Sequence, residues 1–100
     1  MTRTRQLAAI MFTDIQGYTT LMQKNEELAV QAREKHRRIF NSITKKFEGK
    51  ILQYYGDGTL SIFNSAIDAV NCSIEMQLGF REEPIIPVRI GIHTGDIIFS

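Results

Sequence analysis

A single cysteine, Cys72, stands in the chain. No internal disulfide framework is possible, and such sparing use fits a reducing compartment. No apolar run approaches the roughly 20 residues that a membrane-spanning helix needs. The run Leu7 to Phe12, behind the basic start Met1-Thr2-Arg3-Thr4-Arg5, is too short for a signal-peptide core and has no cleavage site after it. Neither sign of charge prevails: 12 Lys+Arg against 11 Asp+Glu leave a formal +1. A global electrostatic drive toward nucleic acid or an acidic membrane is therefore absent, although a local patch could still act. Proline is scarce too, and Pro84 and Pro87 together mark one loop. What is present is an apolar fraction of 43% over 100 residues. That suffices for one folded domain, not two, and argues against disorder. The expectation is a cytoplasmic domain without a membrane segment. The apolar ending Ile97-Ile98-Phe99 reads as the opening of a strand, so the chain is expected to be the first part of a longer domain.

The pattern predicts a specific order of elements. Leu7 to Phe12 is continuously apolar, as in a strand buried on both faces. A short helix is expected over Tyr18 to Lys24. A long one is expected from Glu26 to Phe47, with Asn25 as N-cap and an apolar stripe of Leu28, Ala32, Ile39, Ile43 and Phe47. Its basic run, Arg33 to Arg38, reads as a solvated face, and Gly49 as its left-handed exit. Ile51 to Tyr55 and Thr59 to Phe63 flank Gly56-Asp57-Gly58, a hairpin whose Asp-Gly favours a positive-φ turn. Ser65 opens a further helix, with Ile67, Val70, Ile74 and Leu78 as its buried stripe and Cys72 a plain buried thiol. Val88, Ile90 and Ile92 alternate with Arg89, Gly91 and His93 in a half-buried strand. Thr94-Gly95-Asp96 reads as a turn before a further strand.

This order is α+β, a ferredoxin-like split βαβ sandwich cut within the strand after a βααββαβ core. Right-handed crossovers make the first two strands parallel, with the hairpin return inserted antiparallel between them. The topology then carries Asp14, at the end of the first strand, and Asp57, at the hairpin tip, to one sheet edge. Carboxylates brought close repel unless a cation or a proton lies between them. Hard oxygen donors suit Mg²⁺ or Mn²⁺, completed by substrate phosphates. Beside Asp14, the backbone N–H groups of Gln16, Gly17, Tyr18 and Thr19 lead into a helix and could hold a phosphate. The pattern points to metal-dependent phosphoryl or nucleotidyl transfer. The alternative is structural: Asp57 as turn chemistry and Asp14 as a helix N-cap.

Three segments carry a resemblance. Phe12-Thr13-Asp14-Ile15-Gln16-Gly17-Tyr18-Thr19, Gln53-Tyr54-Tyr55-Gly56-Asp57-Gly58 and Val88-Arg89-Ile90-Gly91-Ile92-His93-Thr94-Gly95-Asp96 resemble, in order and spacing, the class III adenylate/guanylate cyclase catalytic domain of bacterial type. The resemblance covers essentially the whole chain and implies its N-terminal portion, residues 1–100. It implies two Mg²⁺ or Mn²⁺ ions on Asp14 and Asp57, with the Ile15 backbone carbonyl as a further ligand and Gln16 to Thr19 around the β/γ-phosphates. The substrate would be ATP or GTP, with ATP ahead, and the enzyme a homodimer. Gln53 departs from the Lys or Glu typical of adenylate and guanylate cyclases at that position. It would read the base across the dimer, since an amide donates and accepts. The family's second base reader, ribose Asn and transition-state Arg match nothing before Ser100, so the fragment alone is expected to be inactive. Arg89 is not promoted to the transition-state role, and His93 is read as structural. The competing readings are a non-catalytic cyclase-like domain that dimerises or binds nucleotide, and an RNA-binding module. The balanced charge weighs against the second.

Overall fold

Continuous apolarity between Leu7 and Phe12 predicts a strand covered on both faces, and one half of that expectation fails. In the computed structural model, which describes residues 4–99, these residues lie in β1 (Thr4–Ile15). Ala9, Met11 and Ile15 join the core, whereas Leu7 and Phe12 remain 68% and 50% exposed. Only one face of the sheet carries helices, so alternate side chains of β1 look outward.

The remaining elements are α1 (Tyr18–Lys24), α2 (Glu26–Lys46), β2 (Lys50–Tyr54), β3 (Gly58–Phe63), α3 (Ala66–Phe80) and β4 (Val88–Phe99). The four strands are ordered β2-β3-β1-β4. Every neighbouring pair is antiparallel, which leaves β1 and β2 parallel with β3 between them, as the split βαβ reading requires. Strand β4 pairs without interruption from Ile15↔Val88 to Thr4↔Phe99. The expected turn at Thr94-Gly95-Asp96 is therefore not one. Residues 97–99 continue β4 instead of opening another strand, because the 12-residue β1 gives β4 a partner along its whole length. This ribbon runs past the helices and stretches the molecule to 50 × 24 × 18 Å.

Local signals set the helix ends. The Asn25 side chain accepts from the Leu28 N–H at 3.1 Å, and the Ser65 hydroxyl accepts from the Asp68 N–H. At the end of α2 the left-handed residue is Glu48 (φ 58), not Gly49. Gly49 serves close packing instead: a Cβ there would sit 2.5 Å from the Phe63 ring. The hairpin forms as expected, but no residue of its turn has positive φ. The loop is closed by the Tyr55 N–H donating to the Gly58 carbonyl at 2.8 Å.

Two helix faces differ from the periodicity. In α2 the buried positions are Ala29, Ala32, Lys35, His36, Phe40 and Thr44, while Leu28 is exposed and Ile39, Ile43 and Phe47 are only partly covered. The basic run is thus not uniformly solvated. Lys35 lies under the α3–β4 loop and donates to the carbonyls of Glu82 and Pro84. In α3 the buried face is Ala69, Cys72, Met76 and Phe80. Ile67, Val70, Ile74 and Leu78, expected inside, are exposed. Both stripes have helical spacing, and the sheet has only one side to cover, so one had to remain outside. Burial pushes the Cys72 thiol up to about 12, which makes it an inert core residue.

Candidate active site

Thr13 is the last fully covered polar residue of β1 before the strand emerges. Its Oγ1 lies 2.8 Å from His36 Nε2 on α2 and 2.5 Å from Thr59 Oγ1 on β3. This buried chain ties β1, β3 and α2 together immediately beneath the strand end. His36 is buried to 1% exposure. Desolvation, opposed by the nearby Asp57 and Asp14 carboxylates and reinforced by Arg37, pushes it down to about 4, so it is neutral at physiological pH.

Above this anchor, Asp14 pairs with Gly58 across β1 and β3, and the Ile15 N–H donates to the Asp57 carbonyl at 3.0 Å. Two residues about forty positions apart in sequence thus become neighbours, Asp14 near the end of β1 and Asp57 in the hairpin turn just before β3. The approach is tight: a Cβ on Gly58 would stand 2.8 Å from the Thr13 carbonyl oxygen, so glycine is what lets β3 come in. Both aspartates are partly exposed. Asp14 does not cap a helix, since the residue before α1 is Gly17 (φ 74), with no side-chain cap. The N-cap alternative is thereby removed. The left-handed φ, not crowding, makes glycine the natural occupant at position 17, since a Cβ there would meet nothing within 4 Å.

The phosphate cradle expected from Gln16 to Thr19 is smaller than the sequence implies. The Gln16 N–H already donates to the Pro87 carbonyl at 2.8 Å. The first α-helical bond runs from Leu21 to Gly17, so the N–H groups of Tyr18 and Thr19 lie ahead of it, without acceptors inside the helix. Gln53 lies exposed on edge strand β2, opposite Leu60 and next to a register shift. Arg37 donates to the Tyr55 carbonyl at 2.9 Å and lies 5.1 Å from the centre of the Tyr54 ring, bracing the hairpin from α2. The Tyr54 ring meets Phe40 edge-on, a packing role.

Arg89 is the residue that sequence reasoning passed over. It stands directly across β4 from Asp14. Its Nε and Nη2 donate to the two carboxylate oxygens at 2.9 and 3.0 Å. Hydrogen bonding to Asp14 and its charge, with a further contribution from Asp57, hold the guanidinium above its ordinary pKa.

The donor set can be weighed against a divalent cation. Among the described residues no group of three or more His, Cys, Asp or Glu side chains could hold a metal ion. Two carboxylates and a main-chain carbonyl are hard oxygen donors, however. Mg²⁺ commonly takes one or two carboxylates and fills its shell with water and substrate phosphate. That Asp14 already draws a cation, the Arg89 guanidinium, shows a place for positive charge. The residues fit.

The model of the adenylate and guanylate cyclase catalytic domain matches residues 2–100. A Rhizobium meliloti (strain 1021) protein named as an adenylate cyclase is 32% identical over 104 residues, covering 94% of this chain and 17% of that protein. The Myxococcus xanthus serine/threonine-protein kinase pkn2 is 32% identical over 102 residues, 93% of this chain and 12% of that one. The solved adenylate/guanylate cyclase/hydrolase from Silicibacter pomeroyi superposes with a TM-score of 0.83 at 33% identity, over 99% of this chain and 62% of that one. The chain spans less than a fifth of these curated relatives and under two thirds of the solved structure. It belongs to the adenylate and guanylate cyclase catalytic domain family.

Proposed function

We propose that this chain is the metal- and phosphate-binding part of a nucleotidyl cyclase. The enzyme turns a nucleoside triphosphate, ATP ahead of GTP, into a 3′,5′-cyclic nucleotide and pyrophosphate. One observation carries the reading: Asp14 stands opposite Gly58 at the end of the β1–β3 register, and the Ile15 N–H bonds to the carbonyl of Asp57, so the two aspartates meet at one strand end. In the reaction the ribose 3′-oxygen loses its proton and bonds to the α-phosphorus as the bond to pyrophosphate breaks.

Asp14 and Asp57 would hold two Mg²⁺ or Mn²⁺ ions, with the Ile15 carbonyl as a further ligand. Such ions neutralise triphosphate charge and favour ionisation of the 3′-hydroxyl. The protein's own contribution is placement. The His36–Thr13–Thr59 chain fixes the strand ends below the carboxylates. Gly17, Tyr18 and Thr19 offer N–H groups to the β/γ-phosphates, with Gln16 holding the turn through Pro87. Gln53 offers its amide to the base from an edge strand, a position from which it could reach a second subunit. The exposed Phe12, on the sheet face opposite the helices, supports a homodimer that covers this side. No residue among these 100 matches the ribose Asn or transition-state Arg that the resemblance implies, so the chain by itself is expected to turn nothing over.

The test is cyclic nucleotide formation by the intact protein with Mg²⁺ or Mn²⁺ and each nucleoside triphosphate. Product from ATP, lost in Asp57→Asn, supports the reading. Absence of product from every triphosphate rejects it in favour of a non-catalytic, nucleotide-binding or dimerising role.

A further inference from the structure

Each oxygen of the Asp14 carboxylate already accepts a hydrogen bond from a cation. Arg89 Nε reaches Oδ1 at 2.9 Å and Nη2 reaches Oδ2 at 3.0 Å. This is a planar two-bond fork, the strongest form of carboxylate–guanidinium pairing. It is also built into the fold: Asp14 and Arg89 are partners in the β1–β4 register, so the backbone alone presents one to the other. Asp57 adds its field to the same guanidinium.

The pair is nevertheless free to open. The Arg89 side chain is 66% exposed and that of Asp14 40%. A guanidinium that leaves goes to water by turning its own side chain, with no strand displaced and no charge stranded in the core. Exposed pairs are weak on balance, because solvent competes for both partners. Such a contact orients a carboxylate without committing it.

We propose that Arg89 is the resident counterion of Asp14 and must be displaced when a divalent cation binds. Guanidinium and metal ion are both cations, and each would draw on the same two oxygens from close range. The inference rests on the reading of Asp14 as a metal ligand. Without metal, Arg89 holds the Asp14 carboxylate in place and offsets its repulsion with Asp57. With metal, it gives up both hydrogen bonds. Because the free site is occupied part of the time, apparent metal affinity falls by that fraction.

Two measurements on the intact protein test this. The first is Mn²⁺ binding, followed by titration calorimetry or by loss of the free-ion EPR signal, in wild type, Arg89→Gln and Asp14→Asn. Arg89→Gln is expected to bind Mn²⁺ about two- to five-fold more tightly, in line with the modest worth of an exposed pair. The second needs no substitution at Arg89. The Arg89 Nε–H resonance is followed by ¹H–¹⁵N NMR during a Mg²⁺ titration. It is expected to move toward its position in Asp14→Asn. Unchanged or weaker Mn²⁺ binding in Arg89→Gln overturns the proposal. So does an Nε–H resonance that stays in place as Mg²⁺ saturates, even where Arg89→Gln binds more tightly, since long-range repulsion alone would then be at work. Failure of the underlying metal reading looks different: Asp14→Asn binds Mn²⁺ as well as wild type.

Discussion

His36 shows how much a single buried residue can do for a site it does not touch chemically. It sits in the middle of a run of cations, yet α2 turns it inward between Phe40 and Phe80 and against Thr13. Its folded pKa of about 4 lies below the unfolded value of 6.5. The unfolded chain therefore binds more protons between these values, so the stability that the neutral ring confers is complete above about pH 6.5 and is lost as pH falls toward 4. The loss should approach about 3 kcal/mol, on the scale of 1.36 kcal/mol per pKa unit. Urea midpoints measured from pH 7 to pH 4 should fall accordingly. In His36→Gln the dependence should flatten, because glutamine can bond Thr13 but does not titrate. Gly58 is a second residue of this kind. Gly58→Ala should cost about 1–3 kcal/mol by forcing β3 away from the Thr13 carbonyl. Mn²⁺ affinity should drop with it, as Asp57 moves from Asp14; a thermal melt and a Mn²⁺ titration read the two effects separately.

At the scale of elements, most of the fold was legible. Asn25 and Ser65 announce helix starts by their side-chain oxygens, and both accept the bonds expected of them. The alternation of Val88, Ile90 and Ile92 marks β4, and the element order implies the antiparallel insertion of β3 beside β1. What periodicity could not decide is which of two apolar helix faces meets the sheet. In α3, Ile67-Val70-Ile74-Leu78 and Ala69-Cys72-Met76-Phe80 are both well spaced, and the face with the small residue and the flexible thioether packs inward. Met76→Ala should therefore destabilise this chain by about 2–5 kcal/mol, as a buried cavity does. Ile74→Gln should stay within about 0.5 kcal/mol, as exposed substitutions do. Chemical denaturation of the two variants gives the comparison, and the reverse order would mean that α3 is rotated. The continuous β4 was equally hidden, since Thr94-Gly95-Asp96 has turn composition and only pairing with β1 overrides it.

For the whole molecule, the site is a consequence of topology more than of any one motif. Asp14 was visible as a charge after an apolar strand, and Asp57 as a charge between two glycines; their meeting follows from the order β2-β3-β1-β4. The pairing of Arg89 with Asp14 was not visible, because its register depends on the offset between two long strands. The sheet face without helices carries the half-exposed Phe12, and on the proposed reading a second subunit covers it. Specific activity of the intact protein should then fall on dilution, in step with the dimer fraction seen by light scattering. The central claim is that Asp14 and Asp57 together hold the cations for cyclisation. It is tested most directly by cyclic AMP formation from ATP and Mn²⁺ in wild type, Asp14→Asn and Asp57→Asn, with thermal melts alongside. The account predicts product from wild type and a loss of more than about a hundred-fold in each variant, beyond what disturbing a ligand's supporting contacts costs, with the melts little changed. Wild-type rates in either variant would contradict it.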